Sequence, residues 1–180
     1  MRQYWVAPLP PFHTADGTAY NTSTTLTDVS PAPSIVIPAN MLEVGSRLEF
    51  SAFGRFSNVA TTPTLILGIY LSGGAIAAGN AIAATSAITT FTAPVTNRTF
   101  RLEGNAQVRA AGSGTAAQIL GALEISNVTS NGTDMAPATA PTALGFDSTI
   151  ANKVMIGAQW GASAAGNTLT VHYFGVRLVN

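Results

Sequence analysis

The chain has 180 residues, with eight Lys+Arg against eight Asp+Glu, so its formal net charge is zero and charged residues make up only 9%. It has no cysteine, which excludes disulfides and thiolate metal sites. No stretch approaches the roughly 18 uninterrupted apolar residues of a membrane helix, and no Lys/Arg cluster supplies the electrostatic footprint of a nucleic-acid binder.

Residues 1 to about 30 read as an extended arm. The segment "VAPLPPF" carries three prolines, which fix φ, remove ladder donors and favour polyproline geometry. Tyr4, Trp5 and Phe12 lie on the same arm with Pro8 and Pro10. Large aromatics on a Pro-rich segment need burial, either on the domain's own flank or on a neighbouring subunit. The start lacks the basic and apolar regions of a signal peptide, so the expectation is a protein made in a cytosol.

From Ser34 the chain changes character, and residues 31–180 read as one domain. "SIVI" gives a short strand. From Arg47 to Phe56 a long strand alternates Leu48, Phe50, Ala52, Gly54 and Phe56 with Arg47, Glu49, Ser51, Phe53 and Arg55. That is period 2, one face apolar and one mostly polar. "TLILGIYLSGG" is a further strand closed by glycines. The alanine-rich stretch after it reads as strand and loop, because Gly79 and the threonines disfavour helix. Around residues 99–109, Phe100, Leu102, Gly104, Ala106 and Val108 alternate with Thr99, Arg101, Glu103, Asn105, Gln107 and Arg109. "QILGALEISNVT" is another strand, and "SNGTDMAPATAPTALGF" reads as a Pro/Gly/Ser/Thr loop. "NKVMIGAQW" and "NTLTVHYFGVRLV" complete the set. The last strand places Val171, Tyr173 and Gly175 on one face and Phe174, Val176 and Leu178 on the other, so both faces are expected to be partly buried. About eight strands and no amphipathic helix predict an all-β fold: a single antiparallel jelly-roll β-sandwich with an extended N-terminal arm.

Two resemblances extend this reading. Tyr173, Phe174, Gly175, Val176 and Leu178 resemble the terminal strand of tumour necrosis factor-like jelly rolls, which ends on an aromatic, then Phe-Gly, then alternating apolar residues. That family is trimeric, and the resemblance implies Tyr173 and Phe174 as candidates for a threefold axis. The family's receptor-binding signatures are not seen here. A second resemblance covers about 40 residues, from Ile35 to Gly74. Ile37-Pro38-Ala39, Val44-Gly45, Gly54, Thr62-Pro63-Thr64-Leu65 and Gly73-Gly74 are similar to a segment of small virion proteins of tailed bacteriophages. It implies a structural protein of a head or tail.

Residues with catalytic potential are sparse. His13 and His172 are the only histidines, and no metal-binding or nucleophile motif includes them. The carboxylates are Asp16, Asp28, Glu43, Glu49, Glu103, Glu124, Asp134 and Asp147. Glu103 and Glu124 could form a facing pair from distant strands, as glycoside hydrolysis requires, but each sits beside arginines or on a polar strand face, which favours solvated or ion-paired carboxylates. Asp134 and Asp147 flank a loop without the spacing of a calcium loop. No enzyme activity, cofactor or metal is expected. A surface made of Thr, Ser, Asn and Ala, with Arg as nearly all of its cations, suits a chain packed against copies of itself. The expected function is a trimeric capsid decoration protein on the virion, bridging neighbouring subunits of the major capsid protein through its arm. The alternative is a tail-tip or fibre module binding a host receptor or glycan, with Trp160 and the 130–148 loop as its contacts.

Overall fold

The structure, a computed structural model, describes residues 7–8, 13–21, 23–59, 63–130, 132–137 and 140–179. Strands β1 (Ala7–Pro8), β2 (Tyr20–Asn21), β3 (Thr27–Asp28) and β4 (Ile35–Ile37) lead into the long β5 (Arg47–Asn58) and β6 (Thr64–Ser72). After a single 3-10 turn at Ala78–Asn80 come β7 (Ala81–Ala84), β8 (Ile88–Thr89), β9 (Val95–Ala110) and β10 (Ala117–Ser126). The chain ends through β11 (Thr133–Ala136), β12 (Leu144–Phe146), β13 (Asn152–Trp160) and β14 (Thr168–Val179).

These strands form two antiparallel sheets that face each other as a β-sandwich. The larger runs β1-β14-β5-β9-β10-β11, with β2 also on β14 and β12 also on β10. The smaller runs β3-β13-β6-β7, with β4 also on β13 and β8 also on β6. The described residues thus hold fourteen strands where the sequence suggested about eight. Six of them, β5, β6, β9, β10, β13 and β14, span nine residues or more. The remaining ones span two to four residues and each pairs with one long neighbour. Such short pieces need only backbone partners, so they leave little side-chain alternation to read. β11 and β12 lie where a loop was expected and pair, one after the other, with the edge of β10 that faces away from β9.

The core lies between the sheets. Leu48, Phe50, Phe56, Phe100, Leu102, Ile119, Leu123 and Ile125 point into it from the large sheet. From the small sheet come Leu71 opposite Val154, Ile69 opposite Ile156, Leu67 opposite Ala158 and Leu65 opposite Trp160. Each such fully buried aliphatic or aromatic side chain contributes roughly 1.5–3 kcal/mol. β6 and β13 are buried on both faces: Tyr70 and Met155, directly opposite on the outer side, are buried as well. Gly157 makes this possible, because a Cβ there would collide with the Tyr70 ring and with Ile76 from the following loop. Burial raises the Tyr70 phenol above its ordinary value of 10.0.

Residues 13–30 belong to this sandwich. Tyr20 and Val29 are in the core. The Tyr20 hydroxyl donates to the carbonyls of Ser23 and Thr25 at 2.9 and 2.6 Å. Lys153 pairs with Asp28 at 2.8 Å, and Val29 N–H donates to Ile156 O at 2.9 Å, so this segment is stitched to β13.

Candidate functional site

The arm segment follows the outer edge of β14. Ala7 and Pro8 pair with Leu178 and Arg177, and Tyr20 and Asn21 pair with Leu169 and Thr168. Between these ladders, Gly17 N–H donates to Val171 O at 2.8 Å. His13 Nε2 lies 2.5 Å from Phe174 O. A carbonyl only accepts, so Nε2 carries the hydrogen. The His13 Nδ1 atom is buried without a hydrogen-bond partner among the described residues.

The two aromatics expected at an axis part company here. The β14–β5 register shifts between Val171 and Tyr173: Val171 faces Gly54, Tyr173 faces Phe53, and His172 is the extra residue. This β-bulge reverses the phase of the strand. Val171 and Phe174 both point inward, and Phe174 is only 1% exposed. The expected grouping of Val171 with Tyr173 is therefore corrected. Phe174 is a core residue of its own chain, while Tyr173 remains 42% exposed on the outer face. Pro8 takes part through backbone pairing with Arg177. Tyr4, Trp5, Pro10 and Phe12 lie outside the described residues.

Around Tyr173 the outer face of the large sheet forms a laid-out grid. Tyr173 stacks beside Phe53 with centroids 5.6 Å apart and planes 17° apart, and Phe53 is 46% exposed. The tyrosine lies flat across Gly175, where any Cβ would strike its hydroxyl and ring. His13 meets it edge-on at 6.2 Å, and His172 reaches the Asp16 carboxylate at 2.9 Å. One register step further, Arg177 and Arg47 share Glu49, the first at 3.5 Å. Across β9, Arg101 pairs with Glu103 at 3.2 Å, and Glu103 lies directly opposite Glu124 on β10, whose other neighbour is the exposed Met135 on β11. All of these residues except Asp16 and Arg101 border an open groove of about 1290 Å³. Composition hinted at an arginine-rich interface, but pattern alone did not show that Phe53, Met135 and two charge clusters share one surface.

The remaining candidates resolve into local structure. Glu103 and Glu124 are cross-strand neighbours on an exposed sheet face. Asp147 accepts hydrogen bonds from Thr149 Oγ1 at 2.6 Å and from the N–H groups of Gly114 and Thr149 at 2.8 Å. These hold its carboxyl below the usual carboxylate value of 3.8. Asp134 accepts from Thr129 at 2.9 Å. No group of three or more His, Asp or Glu among the described residues could hold a metal ion. Trp160, expected as a possible glycan contact, is buried in the core, its indole N–H without a partner among the described residues. Compared with known protein families and with curated proteins, the chain matches none.

Proposed function

We propose that this chain is a structural protein of a bacteriophage virion, a jelly-roll sandwich that assembles as a trimer and decorates the head by bridging neighbouring capsid subunits. One observation carries the assembly reading: among the described residues the outer face of the large sheet leaves exposed a stacked aromatic pair and two charge clusters, in a chain where charge is otherwise scarce. Exposed aromatics and arginines are the residues that anchor interfaces.

Sheet order supports the jelly roll. The last strand β14 lies between the N-terminal strands β1 and β2 on one side and β5 on the other, with β9 next. In the opposing sheet β13 lies between β3 and β4 on one side and β6 on the other, with β7 next. The chain passes back and forth between the layers, and β10 to β12 extend the large sheet beyond that pattern. The virion assignment rests on the Ile35–Gly74 resemblance. Assembly then stabilises the shell by mass action, and residues 1–12, with Tyr4, Trp5, Pro8, Pro10 and Phe12, form the capsid contact. No cofactor or catalytic step is part of this reading.

Fractionating phage particles into heads and tails tests it. The chain is expected with heads, and removal of residues 1–12 is expected to leave a folded oligomer that no longer coats them. Recovery with tails alone would sink the decoration reading. The flat Tyr173–Phe53 ledge favours a second reading, a receptor-binding module for saccharides, which predicts retention on a glycan array lost in Phe53→Ala.

A further inference from the structure

The outer face of the large sheet has two unlike halves. On the β14–β5 half, Arg47 and Arg177 share the single carboxylate of Glu49, leaving one positive charge in excess. On the β9–β10 half, Arg101 bridges Glu103, while Glu124 stands directly opposite Glu103 and has no ion pair among the described residues, so this cluster of three carries one negative charge in excess. Like charges directly opposite on a sheet face are destabilising in the isolated chain. A cation brought by a partner would relieve that pair. The aromatic ledge of Phe53 and Tyr173 lies on the β14–β5 half, level with Arg101 of β9, and borders the trough.

We propose that a second copy of this chain docks on this face, with the Arg47–Glu49–Arg177 cluster of one copy meeting the Arg101–Glu103–Glu124 cluster of the next. The contact is heterologous, one half of the face against the other half, and such contacts close into rings when the rotation allows. It rests on the self-assembly proposed above and specifies its contact. The four long strands β14, β5, β9 and β10, about 4.8 Å apart and at least about ten residues long, give the face roughly 600 Å² before side-chain relief is added, so charge pairing rather than area carries the contact. Stable interfaces need about 800 Å² per partner. Buried Arg–carboxylate contacts also fix which half meets which, since like-charged halves repel.

The test is association measured by sedimentation velocity on the full chain and on Arg177→Glu, Glu124→Arg and the double variant. Both positions are exposed, so unchanged far-UV circular dichroism and melting are expected to show that each variant folds. Each single variant is expected to weaken association at least tenfold, and the double variant to recover most of that loss, because every contact then has its charges exchanged. Raised salt should weaken the parent in the same sense. If the single variants associate like the parent, or the double is no better than the worse single, the charge-paired contact is overturned while self-assembly stands. A parent chain monomeric at about 100 μM overturns both, whatever else the face is then found to bind.

Discussion

The two sheets treat their outer faces differently. The small sheet is covered by its own chain: Tyr70 and Met155 are buried outside β6 and β13, with Ile76 lying against Gly157. The large sheet leaves Phe53, Tyr173, Met135 and two charge clusters in the open. Among the described residues, the outer cover lies on one side only. The contrast locates the surface available to a partner: within the chain it is β6 and β13 that are buried on both faces, while the outer face of β14 stays open among the described residues.

Substitutions sharpen the contrast, and the largest effect is expected at the core residue beside the exposed one. Phe174→Ala should cost about 3–5 kcal/mol in urea unfolding, because it leaves a cavity between the sheets. Tyr173→Ala should leave stability within about 1 kcal/mol while weakening association. Equal losses at both positions would break the assignment of inner and outer faces. On the covered side, Gly157→Ala forces a methyl into Tyr70 and Ile76 and should cost about 1–3 kcal/mol. A neutral result would mean the cover is loose.

Two smaller effects depend on pH. Tyr70 is raised above 10.0 by burial, so its contribution is fully present below that value and is lost as pH rises through the folded-state value. Alkaline unfolding followed by circular dichroism should therefore be shallower in Tyr70→Phe than in the parent. Asp147 is lowered from 3.8 by its bonds to Thr149 and Gly114, so its contribution is present above that value and disappears as pH falls through the folded-state value. In Asp147→Asn the acid limb of the stability profile should flatten slightly, by the smallest margin of this set, since the carboxyl is exposed.

The long strands were legible because they separate core from open surface. Leu48 to Phe56 and Phe100 to Val108 alternate cleanly, and each apolar member except Gly104 is buried. β14 was legible as a strand but not in phase. One extra residue, His172, turns the pattern over, and nothing in "VHYFG" distinguishes a bulge from plain alternation. Trp160, a candidate contact in the receptor-binding alternative, lies on a strand buried on both faces, and its burial comes from register that the sequence alone does not show. β11 and β12 hid in a Thr/Pro/Gly stretch because an added edge draws on main-chain partners. The aromatic and charged grid was invisible for a different reason: it joins residues from β5, β9, β10, β11 and β14, and only register brings them side by side.

The seam between the arm segment and β14 has one further consequence. A sheet with a free border can recruit strand after strand, and growth of that kind has no natural end. Here the border is occupied by Ala7 and Pro8, His13, Gly17, Tyr20 and Asn21. With the hem sewn shut, copies can meet through a broad side instead of a border, and a broad side has room for only a fixed number of neighbours. Strand-by-strand growth from this border is thereby discouraged.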